Sequence, residues 1–177
     1  MTGRIMKTRQ NIVLTGFMGT GKTEVGRIIA RKLGFALVDV DEEIEKEQKM
    51  KIAEIFRRYG EPAFRDMESA VIGRLSERER SVIATGGGAV LRQENMDKLR
   101  ENGIIFCLKA SAGLIYERTK GSTDRPLLRV EDPLAKISEL LAARQAFYDK
   151  ADRVIDTEGK SPVQVAEEII WNSKGRK

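Results

Sequence analysis

GFMGTGKT, residues 16–23, is the most informative segment of the chain. It matches the phosphate-binding pattern G-x-x-x-x-G-K-[ST], in which backbone N–H groups point inward and hold phosphate oxygens. The apolar run NIVLT at 11–15 predicts a buried strand before it, and amphipathic sequence to about residue 33 predicts a helix after it. A phosphate loop requires both neighbours, so the segment predicts nucleotide binding.

The residues of this loop have separate expected roles. Backbone N–H groups and the helix N-terminus are expected to bind the phosphates of ATP. The lysine would neutralise the β- and γ-phosphates, and the hydroxyl after it would be a ligand of Mg²⁺. The predicted ATP-binding residues are therefore Gly19, Thr20, Gly21, Lys22 and Thr23, of which Lys22 is also catalytic and Thr23 also a metal ligand.

Beyond residue 33, short apolar runs alternate with longer amphipathic ones, which predicts a parallel sheet with helices on both faces. The fold class is therefore α/β, a three-layer α/β/α arrangement around five parallel strands. The further predicted strands are 36–40, 81–85, 104–108 and 154–156. The further predicted helices are 41–49, 52–59, 61–79, 94–101, 112–119, 133–148 and 162–171.

The length of 177 residues predicts a single domain over 1–177, with a core at about 11–171. No Pro-, Gly- or Ser-rich linker divides it. The polar segment at about 119–132 has no clear period, and such a segment in a compact domain is expected to form a mobile lid.

The charge of the chain is concentrated at its ends. The sequence has 32 basic residues, 27 acidic residues and no histidine, for a net charge of +5. Six of the basic residues lie in two tails without acids, at 1–10 and 172–177, so the body has 26 basic against 27 acidic residues and a net charge of −1. This distribution argues against a nucleic-acid partner, which usually binds a positively charged face. The absence of histidine excludes histidine-based catalysis and histidine metal sites.

Two features bear on the compartment. The single cysteine, Cys107, lies in the apolar run 104–108 and is expected to be a buried structural thiol. No apolar stretch approaches the roughly 18 residues of a membrane span, and the basic start does not predict a secretory signal. We therefore expect a cytoplasmic protein with no membrane partner.

Asp39 and Asp41 close the second predicted strand. Residues two apart on a strand share a face, so both are expected to project over the edge where parallel sheets bind ligands. One carboxylate would hold Mg²⁺ or its waters, and the other would orient a substrate hydroxyl and accept its proton. The alternative is that Asp41 only caps the helix that follows.

Three glycines, Gly86, Gly87 and Gly88, follow the third predicted strand. They either expose backbone donors to a ligand or form a tight turn where a helix and a strand crowd together.

Three arginines are candidates for binding a carboxylate or a phosphate, because the guanidinium group binds both in a bidentate manner. They are Arg65, Arg125 and Arg144, and the alternative for each is an ordinary solvated side chain. Phe56 and Phe64 are expected to be core residues first and walls of a substrate pocket second.

An ordered set of segments, spread over about 11–171, resembles the shikimate kinase family. The phosphate loop occurs in many kinases, whereas the FR…E, TGGGAV and RPLL segments with a downstream arginine are specific to this family. The segments are GFMGTGKT at 16–23, VDVD at 38–41, IAEIF at 52–56, FRDMES at 64–69, TGGGAV at 85–90, DRPLL at 124–128 and ARQAFYDKAD at 143–152. The resemblance implies a nucleoside-monophosphate-kinase-like P-loop core with a substrate-binding helical region at about 41–70 and a mobile lid.

The resemblance also implies an activity and a set of roles. The activity is Mg²⁺-dependent transfer of a phosphoryl group from ATP to the 3-hydroxyl of shikimate, on the route to chorismate and the aromatic amino acids. In the acceptor site, it implies Asp41 as the base that binds the hydroxyls, Arg65 and Arg144 on the carboxylate, backbone contacts from Gly86, Gly87 and Gly88, and Glu68 as the acid that orients Arg65. On the nucleotide side, it implies Arg118 at the adenine, the lid residue Arg125 on the transferring phosphate, and Asp39 on Mg²⁺ through water. Lys160 is the only candidate for a further contact near the adenine.

Alternatives remain open from the sequence. A related kinase would phosphorylate another hydroxylated acid such as gluconate, and a regulatory module would use the phosphate loop as a switch. A nucleic-acid-associated ATPase is a further alternative. A monomer is the form that the resemblance implies.

Overall fold

A five-stranded parallel sheet with the strand order β2-β3-β1-β4-β5 organises the chain. The computed structural model describes residues 11–122 and 126–174. The strands are β1 (Asn11–Gly16), β2 (Ala36–Asp39), β3 (Ser81–Ala84), β4 (Gly103–Lys109) and β5 (Arg153–Asp156). Each strand was predicted, with its ends shifted by no more than one residue, and all four pairings are parallel as expected.

The helices follow the predicted order. They are α1 (Lys22–Leu33), α2 (Val40–Gln48), α3 (Ile52–Ser76), α4 (Gln93–Asn102), α5 (Ala112–Thr119), α6 (Pro133–Tyr148) and α7 (Pro162–Ser173). The predicted helices 52–59 and 61–79 are the two arms of α3, which is kinked at Gly60 by a backbone with φ 81° and ψ 171°. A glycine adopts this positive φ readily, which explains why the helical pattern breaks there. The second arm ends at Ser76, earlier than predicted.

Side chains alternate between the two faces of the sheet. On β1, Ile12 and Leu14 pack with α1 and α7, whereas Val13 packs with α3, α4 and α6 on the opposite face. All three side chains are at most 3% exposed. Burial of each such side chain stabilises the fold by about 1.5–3 kcal/mol. The two cores hold the sheet between two helical layers, as the α/β prediction required.

The carboxyl ends of the strands carry the predicted functional segments. Because the strands are parallel, the phosphate loop after β1, Asp39 at the end of β2 and Thr85 after β3 meet at one edge of the sheet. Thr85 is tied to β1 twice, since its N–H and its hydroxyl both donate to the Leu14 carbonyl, at 3.0 and 3.2 Å. These bonds fix the start of the glycine segment beside the phosphate loop.

Three other expectations concern regions away from this edge. Cys107 is buried in β4, and burial raises the pKa of its thiol to about 11, as expected for a structural cysteine. Within 11–122 and 126–174, no helix is both long and apolar enough to span a membrane. Of the basic tails, 1–10 and 175–177 lie outside the described residues.

Candidate active site

The phosphate loop bends back against β4. Gly16 has a φ of 130°, and a Cβ at this residue would collide with the Leu108 carbonyl oxygen. Gly19 also has a positive φ, 78°. Glycine is therefore required where the loop leaves β1 and passes close to the neighbouring strand. The Thr20 hydroxyl closes the loop by donating to the Phe17 carbonyl at 2.8 Å.

Lys22 is the first residue of α1 and lies across this loop. Its Nζ donates to the carbonyl oxygens of Gly16 at 2.7 Å and Phe17 at 2.9 Å. The ammonium group therefore stands beside the backbone amides of the loop and the N-terminus of α1, which together attract anions. This is the arrangement that a nucleotide phosphate requires.

Thr23 and Asp39 connect the loop to the end of β2. The Thr23 hydroxyl donates to Asp39 Oδ2 at 3.1 Å. A hydroxyl and a carboxylate are the hard oxygen donors that Mg²⁺ prefers. No group of three or more acidic, cysteine or histidine side chains suited to a metal occurs within the part of the chain that the structure describes. The pair fits a magnesium ion that takes its other ligands from phosphates and water, because Mg²⁺ keeps several waters and uses few protein carboxylates.

Asp41 is placed differently from the prediction. β2 joins α2 without a loop, and Asp39 Oδ1 caps α2 by accepting from the N–H groups of Asp41 at 3.0 Å and Glu42 at 3.3 Å. Asp41 therefore lies in the first turn of a helix, and the prediction that both aspartates project from one strand face is wrong. The suggestion that Asp41 caps this helix is wrong as well. Asp39 followed by Glu42 is an N-terminal capping pattern that indicates this helix start from sequence.

Two carboxylates converge on Gly86. Asp41 Oδ1 and Glu68 Oε1 both lie 3.0 Å from the position that a Cβ on Gly86 would occupy. Glu68 is fully buried. Burial raises the pKa of its carboxyl group to about 7, against the opposing effect of Arg65 and with a further contribution from Asp41. The acceptor side of the site thus holds two acids close together, Glu68 fully buried and Asp41 partly exposed.

Arg65 is fixed from two sides by acids of α3. Its Nη1 donates to Glu68 Oε2 at 2.8 Å, and its Nη2 donates to Glu61 Oε1 at 3.0 Å. Burial lowers the pKa of the Arg65 guanidinium, but the two acids more than offset this effect, so the net shift is upward. The resemblance implied the Glu68 contact, whereas the Glu61 contact was not predicted, although the i,i+4 spacing of Glu61 from Arg65 is a visible signal.

Arg144 has a different environment. It lies on α6, is 6% exposed, and its guanidinium carbon stands 5.8 Å from the centre of the Phe17 ring. Among the described residues, no acidic side chain forms an ion pair with it. A buried cation without a protein anion is costly, so this residue is suited to an anionic ligand.

The glycine segment runs between the two arginines. A Cβ on Gly88 would overlap the Arg65 guanidinium, and a Cβ on Gly87 would lie 3.6 Å from Arg144 Nη1. The tight, crowded turn that was one of the two sequence interpretations is therefore present, with the Ala89 N–H donating to the Gly86 carbonyl at 3.2 Å; exposure of backbone donors to a ligand stays a prediction. The same segment lines the cavity, with Gly86 and Gly87 partly exposed and Gly88 buried.

The nucleotide side is closed by residues from α5 and from the loop after β5. Arg118 Nη1 donates to the Gly19 carbonyl at 3.2 Å, and Lys160 Nζ pairs with Glu168 at 2.7 Å. Thr157, which the sequence analysis did not single out, lines the same space, and its hydroxyl donates to the Lys109 carbonyl. Arg125 lies outside the described residues, as does part of the predicted lid.

One cavity of about 1000 Å³ joins the nucleotide side to the acceptor side. Every predicted site residue within the described part of the chain lines it, from the phosphate loop through Asp39 and Asp41 to Arg144. Phe56 and Phe64 form part of its wall, with ring centres 4.8 Å apart. A bound nucleotide and a small acid would share this space.

Comparisons with known proteins identify the family. The family model described as shikimate kinase matches residues 18–173. A shikimate kinase from Thermodesulfovibrio yellowstonii is 58% identical over 91% of this chain and 93% of its own length, and one from Caldanaerobacter subterraneus subsp. tengcongensis is 49% identical over 91% and 94%. A solved structure of shikimate kinase from Acinetobacter baumannii in complex with shikimate is 38% identical and covers 97% of this chain and 96% of its own, with a TM-score of 0.92.

Proposed function

This chain belongs to the shikimate kinase family, and we propose that its cavity transfers the γ-phosphoryl group of ATP to the 3-hydroxyl of shikimate. The observation that carries the proposal is the buried Arg144, which has no acidic partner among the described residues and shares one cavity with the phosphate loop. Shikimate is an anion with hydroxyl groups, so it supplies both the missing carboxylate and an acceptor oxygen.

The phosphate loop binds the nucleotide. The backbone N–H groups of 19–23 and the positive end of α1 hold the phosphate oxygens. Lys22 exchanges its contacts with the Gly16 and Phe17 carbonyls for the β- and γ-phosphates. Its charge offsets the negative charge on the transferring group, which is the main demand of phosphoryl transfer. Arg118 borders the adenine, and Arg125 from the lid is proposed to meet the γ-phosphate.

Thr23 and Asp39 would hold Mg²⁺, with Asp39 acting through water. When bound, the ion neutralises phosphate charge and orients the phosphoryl group for transfer. The 3.1 Å contact between Thr23 Oγ1 and Asp39 Oδ2 brings the two donors together before any ligand binds. The other oxygen of Asp39 caps α2 and so holds the turn that carries Asp41.

Asp41 is the proposed base. It orients the 3-hydroxyl of shikimate and accepts its proton as the oxygen attacks the phosphorus, a role within reach of an aspartate held close to the acceptor. Glu68 beside it holds Arg65 and remains clear of the acceptor oxygen in this scheme. Its Oε2 already accepts from Arg65 Nη1 at 2.8 Å, so we assign to Glu68 the orientation of that arginine and to Asp41 the contact with the acceptor hydroxyl.

Arg65 and Arg144 bind the carboxylate. Arg65 is pre-oriented by Glu61 and Glu68, and Arg144 contributes a charge that the described protein leaves unneutralised. The backbone of 86–88 lies between them and completes the acceptor site. Two guanidinium groups on one carboxylate fix the ring of the acid, so that its hydroxyl faces Asp41.

We further propose that the protein works as a monomer in the cytoplasm. The nucleotide-side and acceptor-side groups of one chain line the same cavity, which is what a monomeric enzyme requires. Sedimentation or light scattering of the purified protein would test the monomer.

The experiment that tests the function is ADP release from Mg²⁺-ATP with shikimate, with gluconate and without an acceptor. The Lys22→Ala variant serves as the control for contaminating kinases, because it removes the cation that offsets phosphate charge. Stimulation by shikimate, lost in the variant, is the expected result. Stimulation by gluconate alone would show that gluconate, and not shikimate, is the acceptor. Nucleotide binding without acceptor-dependent turnover would favour a regulatory module.

A further inference from the structure

We propose that Tyr148 is a positioning residue for the acceptor: its hydroxyl holds the Gly87 carbonyl and thereby orients the Gly87–Gly88 peptide toward the bound acid. The inference rests on the proposed function, since it concerns how the same site binds its acceptor. Tyr148 does not line the acceptor cavity and acts on the acceptor through the backbone that does.

The contact joins two segments far apart in the chain. Tyr148 is the last residue of α6, and its hydroxyl donates to the Gly87 carbonyl oxygen at 2.9 Å. The side chain is 5% exposed and belongs to the hydrophobic core on one face of the sheet. Arg144 lies one helical turn earlier on α6, so one helix supplies both a carboxylate-binding group and the anchor of the glycine segment.

The anchored carbonyl sets the direction of the neighbouring amide. Within one planar peptide unit, the C=O of Gly87 and the N–H of Gly88 point in opposite directions. The carbonyl is held toward α6, so the N–H is directed away from α6. Among the described residues, the Gly88 N–H has no recorded hydrogen-bond acceptor, which leaves it available to a ligand.

The glycine segment needs such an anchor. Glycine reaches more backbone conformations than any other residue, so three in succession have little intrinsic preference for one orientation of the peptide. The Gly87–Gly88 peptide lies between the guanidinium groups of Arg144 and Arg65. A fixed N–H at this point adds a neutral donor to two charged ones around the same anion.

The chemical state of Tyr148 suits this role. Burial raises the pKa of its hydroxyl to about 12, although Arg144 opposes the shift through its charge and through a side-chain hydrogen bond to the same hydroxyl, and Arg65 does so to a smaller degree. The hydroxyl therefore stays protonated and remains a donor at any pH at which the enzyme would be assayed. Its hydrogen bond to Gly87 is a constant feature of the site.

The test compares Tyr148→Phe with Tyr116→Phe. Phenylalanine keeps the packed ring of Tyr148 and removes only the hydroxyl. Tyr116 lies on α5 and is partly buried, and its hydroxyl has no recorded hydrogen bond to any described residue, which makes it a matched control. For each protein, we would measure the Kd of shikimate and of ATP by calorimetry, KM and kcat for shikimate, and the thermal midpoint.

For Tyr148→Phe, we expect the Kd and KM of shikimate to rise about 3- to 10-fold, the range for loss of one hydrogen bond at a binding site. The Kd of ATP should stay within about twofold, and Tyr116→Phe should change neither constant. A thermal midpoint that falls while the Kd of shikimate is unchanged would show a purely structural hydroxyl and overturn the inference. A wild-type protein that binds no shikimate would instead overturn the proposed function.

A spectroscopic measurement examines the peptide itself. The chain has 16 glycines, so labelling with ¹⁵N-glycine gives a spectrum simple enough to assign. In the protein without ligands, Tyr148→Phe should shift or broaden the amide signals of Gly87 and Gly88 and leave remote glycines such as Gly34 and Gly159 unchanged. Unaltered signals from Gly87 and Gly88 would contradict the anchoring role.

Discussion

The nucleotide half and the acceptor half of the cavity are built in different ways. The phosphate-binding part of the nucleotide half is one continuous segment, 16–23, whose backbone is proposed to hold the phosphates. The acceptor half takes side chains from α2, α3 and α6, between Asp41 and Arg144, and a glycine segment from between them. A local segment is sufficient for phosphate binding, whereas recognition of a particular acid needs the whole fold to bring charges together.

The halves also differ in how deeply they bury charge. Lys22 and Asp39 are half-buried, whereas Arg65 and Arg144 are at most 9% exposed and Glu68 is fully buried. Electrostatic interactions are stronger where water is excluded. Substitutions in the acceptor half should therefore have larger effects than substitutions in the loop, and different substitutions there should change kcat, the Kd of shikimate or the free energy of unfolding.

The largest effect should come from Asp41→Asn, which removes the proposed base and keeps its shape. We expect kcat to fall about 1000-fold, within the range for general base catalysis, while the Kd of ATP stays unchanged because the loop is intact. Coupled measurement of ADP release gives kcat. Glu42→Gln, the same chemical change one residue along α2, is the control. A fall in kcat of less than tenfold for Asp41→Asn would show that Asp41 is not the base.

A smaller effect should follow from Arg144→Ala. Removal of one partner of a buried, hydrogen-bonded charge pair costs 2–5 kcal/mol, so we expect the Kd of shikimate to rise about 300-fold. The free energy of unfolding should change little, because no described acid loses its partner. Calorimetry and urea unfolding measure the two quantities.

Arg65→Ala sharpens this result, because it leaves Glu68 buried without its cation. We expect it to weaken shikimate binding and also to lower the free energy of unfolding by about 3 kcal/mol. If both variants destabilised the protein equally, the distinction between the paired and the unpaired arginine would be wrong.

The smallest effect concerns the pH dependence of stability. Glu68 has a pKa of about 7 in the folded protein, above its ordinary value of 4.5. The folded chain therefore holds this proton more tightly than the unfolded chain, and the contribution of Glu68 to the free energy of unfolding falls as the pH rises from about 4.5 to 7. Glu68→Gln removes this dependence, so its stability relative to wild type should increase by about 2–3 kcal/mol across that window.

Urea unfolding of both proteins at intervals between pH 4.5 and 8 measures this difference. Glu61→Gln is the matched control, since it also loses a carboxylate partner of Arg65 but from a half-exposed position. A constant difference between Glu68→Gln and wild type would mean that Glu68 titrates normally.

The contrast between the halves also explains which features could be predicted from the sequence. The phosphate loop and the five strands follow local patterns, and their bounds were predicted to within one residue. The position of Asp41 in the first turn of a helix was not predicted. Helix α2 starts directly at the end of β2, and the Asp39 cap fixes the direction in which Asp41 faces. The contact between Tyr148 and Gly87 has a sequence separation of 61 residues, and no local pattern indicates it.

The residue-level roles in the acceptor half came from the resemblance rather than from spacing. By composition alone, Arg65 and Arg144 are indistinguishable from the other arginines of the chain. Burial separates both from most other arginines in the structure, and the two acids that pair with Arg65 separate it from Arg144. Burial is a property of the assembled fold, so local sequence carries no direct measure of it.

The glycine segment limits the substitutions that this protein can tolerate. A single added methyl group at Gly88 would overlap Arg65, and one at Gly86 would press on Asp41 and Glu68. Gly34 and Gly159, in contrast, have open space around the Cβ position and resist substitution only through their positive φ. Mutational tolerance at glycines should thus divide into two kinds: surface turns that accept asparagine, and a site in which even an alanine would displace the groups proposed to bind the acceptor.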